Sequence, residues 1–119
     1  MDIEHLREYC IQKPNTTEET PFGPDTLVYK VHGKMFCLFS IDNFVSVNLK
    51  CDPDKAPEMR ANYIGIEPGF HMNKKHWNTV RLFTDVQDGM ILKMVDESYK
   101  LVIKTLPKKL REEALKDIE

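Results

Sequence analysis

Apolar residues recur along this chain at two spacings. From residue 44 to 50, Val45, Val47 and Leu49 alternate with Ser46, Asn48 and Lys50, the period of a strand with one buried and one wet face. From about 88 to 105, Ile91, Met94, Val95, Ser98, Leu101 and Val102 recur at steps of three and four, the stripe of an amphipathic helix. Two β-rich runs, 27–32 and 34–40, flank Gly33, and so short a link predicts a hairpin. Asp42-Asn43 turns the second run into the 44–50 strand, and a fourth strand is expected at about 78–83.

The remaining elements follow from caps and breakers. Residues 2–12 predict a helix, with Asp2 as its cap, Glu4 and Glu8 in its early turns, and Ile3, Leu6 and Cys10 on one face; Lys13-Pro14 stops it. The stretch from Asn15 to Asp25 reads as a loop, with Pro21-Phe22-Gly23 expected to tuck its ring against the core. Asp52-Pro53 opens a second helix as cap and first residue, with Pro57 awkward inside it. Gly65 to Asn73 is a loop, and Pro107 separates the 88–105 helix from a last one at 108–117. Helix, three-stranded meander, helix, strand, helix, helix is an α+β order, with an antiparallel sheet that packs helices on one face.

Composition narrows the class. A chain of 119 residues with 41% hydrophobic and 30% charged side chains suits a single domain, 1–119, whose core needs no metal or disulfide staple. The longest uninterrupted apolar run, Met35 to Phe39, is far short of the roughly 20 residues of a membrane span. Met1-Asp2-Ile3-Glu4 lacks a signal peptide's basic and apolar stretches. Cys10, Cys37 and Cys51 form no CxxC and cannot all pair, so they read as reduced core thiols. The expectation is a cytoplasmic protein without membrane association. The net charge of −2 is unevenly spread: residues 1–60 carry −3 and residues 61–119 carry +1.

That unevenness points to candidate chemistry. Parity places Lys30 and His32 on one face of the first strand, and Lys34 on the corresponding face of the second. Lys50 lies opposite Val47 and Leu49, and Arg81 opposite Val80 and Leu82. If the buried faces align, these four cations share an open surface with Ser46, Asn48 and Thr79, suited to phosphates. The acid-free window Pro68 to Thr84 adds Lys74, Lys75, His76 and Trp77, where cations flank a ring capable of stacking. A single Trp is more often a core anchor, and lysines are ordinary on a solvated sheet. The five cations from Ser98 to Arg111 are largely what a helix C-terminus attracts. Ser98, within an apolar stripe, reads as a small residue for close packing. His71 and His76, five apart, share no regular face and have no third ligand, and Asp2, Glu4 and Glu8, with Glu18 and Glu19 nearby, suit weak cation binding and a solvated helix face equally. No phosphate-binding glycine loop or catalytic triad can be assembled.

The run Pro68-Gly69-Phe70-His71-Met72-Asn73-Lys74-Lys75-His76-Trp77-Asn78-Thr79-Val80 resembles the signature of the MmcQ/YjbR family. Lys13-Pro14, Pro21-Phe22-Gly23, Lys30 with Gly33-Lys34-Met35-Phe36, Leu49-Lys50-Cys51-Asp52-Pro53, Asp96-x-Ser98-Tyr99 and Leu106-Pro107 agree, in order, over essentially the whole chain. The resemblance implies a small fold like that of the frataxin-like CyaY proteins and the double-wing DNA-binding domain of a phage transcription factor. It also implies a predicted DNA-binding role on the open sheet face, which is an argument from fold alone. The expectation is therefore a non-catalytic DNA-binding or regulatory protein with no cofactor or metal. Its candidate contacts to double-stranded DNA are Lys30, Lys34, Lys50, Lys74, Lys75, His76, Trp77 and Arg81, with Asn48, Asn73 or Asn78 near base edges. The alternatives are a protein–protein adaptor using the same face or the hydrophobic loop around Phe22 and Phe70, and a metal-handling protein by analogy with frataxin.

Overall fold

The computed structural model describes residues 1–118. Asp2 caps the first helix as expected: its Oδ1 accepts from His5 N at 2.8 Å, and α1 runs Ile3–Ile11. The chain then pairs where a loop was expected. Thr16–Glu19 is an edge strand, β1, antiparallel to β2 (Thr26–Val31). It holds no apolar residue and so shows no alternation to read. Its anchor is Glu18, which accepts from Arg7 Nε at 3.2 Å and Nη2 at 3.0 Å and from Tyr29 Oη at 2.5 Å. The Arg7 hydrogen bonds hold the Glu18 carboxyl below the usual carboxylate range.

Strands β2 and β3 (Lys34–Ser40) form the expected hairpin, through a two-residue turn in which His32 and Gly33 have φ of +48° and +80°. β4 covers Ser46–Lys50 and β6 covers Trp77–Arg81. A second unexpected strand, β5 (Ile66–Pro68), pairs with β6 at the far edge. All neighbours are antiparallel, in the order β1-β2-β3-β4-β6-β5.

Helix α2 is Ala56–Asn62, starting later than Asp52-Pro53 implied. Asp52 instead closes a turn: its carbonyl accepts from Lys55 N and Ala56 N, and its Oδ1 from Asp54 N. The later start moves Pro57 into the first turn, where the missing N–H would have had no partner. The last two helices, α3 (Asp88–Lys104) and α4 (Lys108–Asp117), fall where periodicity put them.

Helices α1 and α3 cover one face of the sheet, enclosing Leu6, Cys10, Tyr29, Phe36, Phe39, Leu49, Ile91 and Val95. All three cysteines are free and buried. Ser98, fully buried in the α3 stripe, does more than permit close packing. Its hydroxyl donates to Phe36 O at 2.5 Å and accepts from Lys50 N at 2.9 Å. Between β3 and β4 only Cys37–Leu49 and Leu38–Asn48 pair, so Ser98 satisfies the backbone groups just beyond that short ladder. A polar tie also joins α1 to α3. Lys13 Nζ lies 2.5 Å from Asp96 Oδ1, and Tyr9 Oη donates to the same carboxylate at 2.8 Å. Burial, and next Asp96, push the Tyr9 phenol up to about 12.

Candidate nucleic-acid interface

The face opposite the helices is neither uniformly wet nor uniformly basic. Strict alternation would put Lys34 beside Lys30, but a β-bulge intervenes: Tyr29 pairs with Cys37 while Lys30 pairs with Met35, leaving Phe36 as the extra residue. Phe36 and Cys37 both turn to the helix side, and every residue before them changes face. Met35 thus joins the open face, and Lys34, opposite Val31, goes to the helix side, where its Nζ donates to Thr105 O at 3.2 Å. His32 lies in the hairpin turn rather than on a strand face.

The other strand cations do lie on the open face, but two have partners there. Lys30 Nζ is 3.2 Å from Glu19 Oε1, and Arg81 Nε is 3.2 Å from Glu67 Oε1. Both acids come from the edge strands β1 and β5. Register places Lys50 beside Trp77, Asn48 beside Thr79 and Ser46 beside Arg81. Trp77 is 9% exposed and packs on Val28 and Leu38, with Met35 and Met72 against them, so it is an anchor of a second, smaller core on this face.

Trp77 holds down the loop before it. Gly69 N donates to Trp77 O at 2.8 Å, and a Cβ on Gly69 would stand 2.8 Å from Trp77 Cβ, so a side chain does not fit. Thr79 Oγ1 accepts from Phe70 N at 2.8 Å and donates to Asn48 Oδ1 at 2.7 Å. From the helix side, Arg60 donates to Asn78 Oδ1, Lys74 O and Trp77 O. Asn78 is 2% exposed and serves the frame, away from any base edge. Asn73 caps the following turn, its Oδ1 accepting from Lys75 N. The Lys74 ammonium donates to Gly69 O at 3.1 Å, Lys75 is exposed, and the His76 carbonyl accepts from Cys51 N.

This framework leaves two phenylalanines outside. Phe70 is 66% exposed, its ring centroid 4.0 Å from that of His71, whose φ is +59°. Phe22 is 63% exposed rather than tucked into the core. The loop of Phe22 enters at β2, while Phe70 is tied to Thr79 on β6. They therefore flank β3 and β4, lining a groove of about 440 Å³ with Leu38, Ser46, Asn48 and Met72. Both residues were visible as loop aromatics; that they share one groove follows from strand order.

A family model described as YjbR matches residues 11–101. The chain belongs to the YjbR family. It is 38% identical over 114 residues to the protein YbdF of Escherichia coli O157:H7, covering 92% of this chain and 93% of that one. It is 31% identical over 112 residues to YjbR of Escherichia coli strain K12, covering 93% and 95%. Its fold is similar to the crystal structure of Deinococcus radiodurans DR2400, described as a DUF419 domain, with a TM-score of 0.87 and 35% identity over 94% of this chain and 86% of that one. A Pseudomonas syringae protein aligns with a TM-score of 0.72 and 27% identity over 85% and 98%. In this YjbR domain the Pro68–Val80 run supplies the end of β5, the loop and most of β6, and its loop residues Phe70, His71 and Met72 line one side of the groove. Among the described residues, no group of three or more His, Cys, Asp or Glu side chains is placed to hold a metal ion, and no helix is long and apolar enough to cross a membrane.

Proposed function

We propose that this YjbR protein is a non-catalytic binding module that takes single-stranded nucleic acid across the open face of its sheet. The observation that carries the reading is the pair Phe22 and Phe70, held exposed on loops beside a groove whose floor sets Ser46 and Asn48 next to Leu38. An exposed ring beside such a floor is a stacking platform for an unpaired base. A duplex hides its base faces and is gripped through phosphates, yet two of the cations expected for that task, Lys30 and Arg81, are already ion-paired with carboxylates. Lys50, Lys74 and Lys75 remain for backbone phosphates. The net charge of −2 is compatible with a stacking mode and opposes one driven by phosphate neutralisation.

Fluorescence anisotropy with a labelled twelve-nucleotide oligothymidine and a duplex of equal length tests this. The single strand is expected to bind more tightly, with a shallow salt slope of about −2 from three cations at about 0.7 each. Phe70→Ala is expected to cost about 1–3 kcal/mol of binding while leaving thermal stability intact. Glu67→Gln, which frees Arg81, is expected to tighten binding. Absence of binding at micromolar protein in low salt refutes the proposal. The same exposed rings favour a second reading, a protein–protein adaptor; a specific partner retained after nuclease treatment and lost in Phe22→Ala would select it.

A further inference from the structure

A second concavity lies on the opposite side of the sheet, where α2 and α3 diverge. Helix α2 packs on β5, and α3 on β3 and β4, which leaves a gap between the two helices above Leu49 and Val80, themselves 2% and 0% exposed. The opening is a cleft of about 190 Å³, room for about six water-sized groups. Its floor is apolar, with Leu49 and Val80 from the sheet, Met59 from α2 and Met94 from α3. Its mouth is cationic. Lys100 and Lys104, one helical turn apart on α3, and Lys55 at the start of α2 line it, and none of the three is in an ion pair among the described residues. The acids at the mouth are Asp52 and Glu97; Asp52 is committed to its own turn. Apolar bottom, cationic rim and small volume describe a single ligand chemistry.

We propose that this cleft binds a short acyl-chain anion, its hydrocarbon tail against Met59, Met94 and Leu101 above the closed floor of Leu49 and Val80, and its carboxylate or phosphate head among Lys55, Lys100 and Lys104. The tail length follows from the volume, about six to eight heavy atoms. The head follows from the surplus of unpaired ammonium groups, which attract anions and repel a cationic amphiphile of equal length. The site is separate from the aromatic groove: β4 turns Leu49 to this cleft on the helix side and Ser46 and Asn48 to the groove on the open side. It does not depend on nucleic-acid binding.

The test is titration of the full chain with octanoate and with octyl phosphate below their micellar concentrations, followed by methionine-methyl NMR. Acetate, inorganic phosphate and octyltrimethylammonium are the controls. Saturable shifts at Met59 and Met94, with Met35 and Met72 on the open face unmoved, are expected for either anionic amphiphile, and the two together decide which head is preferred. Acetate, phosphate and the cationic amphiphile are expected to leave these methyls in place. The double variant Lys100→Glu/Lys104→Glu, two exposed positions, is expected to weaken binding about tenfold, since each exposed ion pair is individually modest. Three outcomes overturn the proposal: no shift at millimolar anion, equal binding of octyltrimethylammonium, or unchanged affinity in the double variant.

Discussion

Replacing Ser98 by alanine isolates one oxygen atom in a fully buried place. That oxygen donates to Phe36 O at 2.5 Å and accepts from Lys50 N at 2.9 Å. Both backbone groups lie beyond the two residue pairs that join β3 to β4, so neither has a ladder partner to fall back on. Removing the hydroxyl loses two hydrogen bonds with a net worth of about 1 kcal/mol each and strands a buried donor and acceptor at about 1–3 kcal/mol apiece when water cannot reach them. These ranges overlap in what they count, and a destabilisation of about 2–4 kcal/mol is expected. For a chain of this length about 4 °C of melting temperature corresponds to 1 kcal/mol, so the midpoint falls by roughly 8–16 °C. Urea denaturation should show a lower midpoint with an unchanged slope, since the surface exposed on unfolding is the same. Amide exchange at Lys50 should accelerate more than at Val47. A loss below about 0.5 kcal/mol would mean that neither bond stabilises the fold, and would return Ser98 to the role of a small packing residue.

Three further outcomes are expected. Gly69→Ala drives a methyl to 2.8 Å from Trp77 Cβ and 3.0 Å from Met72 Cβ, so it should displace the Phe70 loop and weaken oligothymidine binding; an unchanged affinity in anisotropy would separate the groove from that loop. Lys13→Met leaves Asp96 with Tyr9 alone in a partly buried site and should cost about 1–3 kcal/mol by urea denaturation, less than for a fully buried pair. Because Arg7 lowers the folded-state pKa of Glu18, its contribution is present above the unfolded glutamate value near about 4.3 and is lost as pH falls through the lower folded value. The stability gap between the wild-type protein and Glu18→Gln, followed from pH 7 to pH 3, should therefore close on acidification; a constant gap would show that the Arg7 pair is not its source.

Local chemistry along the chain sufficed for the α+β class, the Asp2 cap, the hairpin at Gly33, the α3 stripe and the burial of the three cysteines, because each is written in neighbouring residues. The same reading named Phe22 and Phe70 and the Pro68–Val80 run. It did not find β1 or β5: Thr16–Glu19 has no apolar alternation, and Ile66–Pro68 is three residues long, so only pairing with a neighbour makes either a strand. From that omission came the picture of four free cations on one face, since Glu19 and Glu67 sit on those two strands. Lys34 was misplaced for a different reason. Parity counts residues, whereas the bulge at Phe36 is set by how β3 meets β2 and α3, and one inserted residue exchanges the two faces. Residue by residue, the chain dictates which side chains are apolar, charged or able to turn it. Tertiary packing alone decided which charges meet their opposites, which rings stay outside, and where a gap is left between helices, because those are distances between residues far apart in the chain.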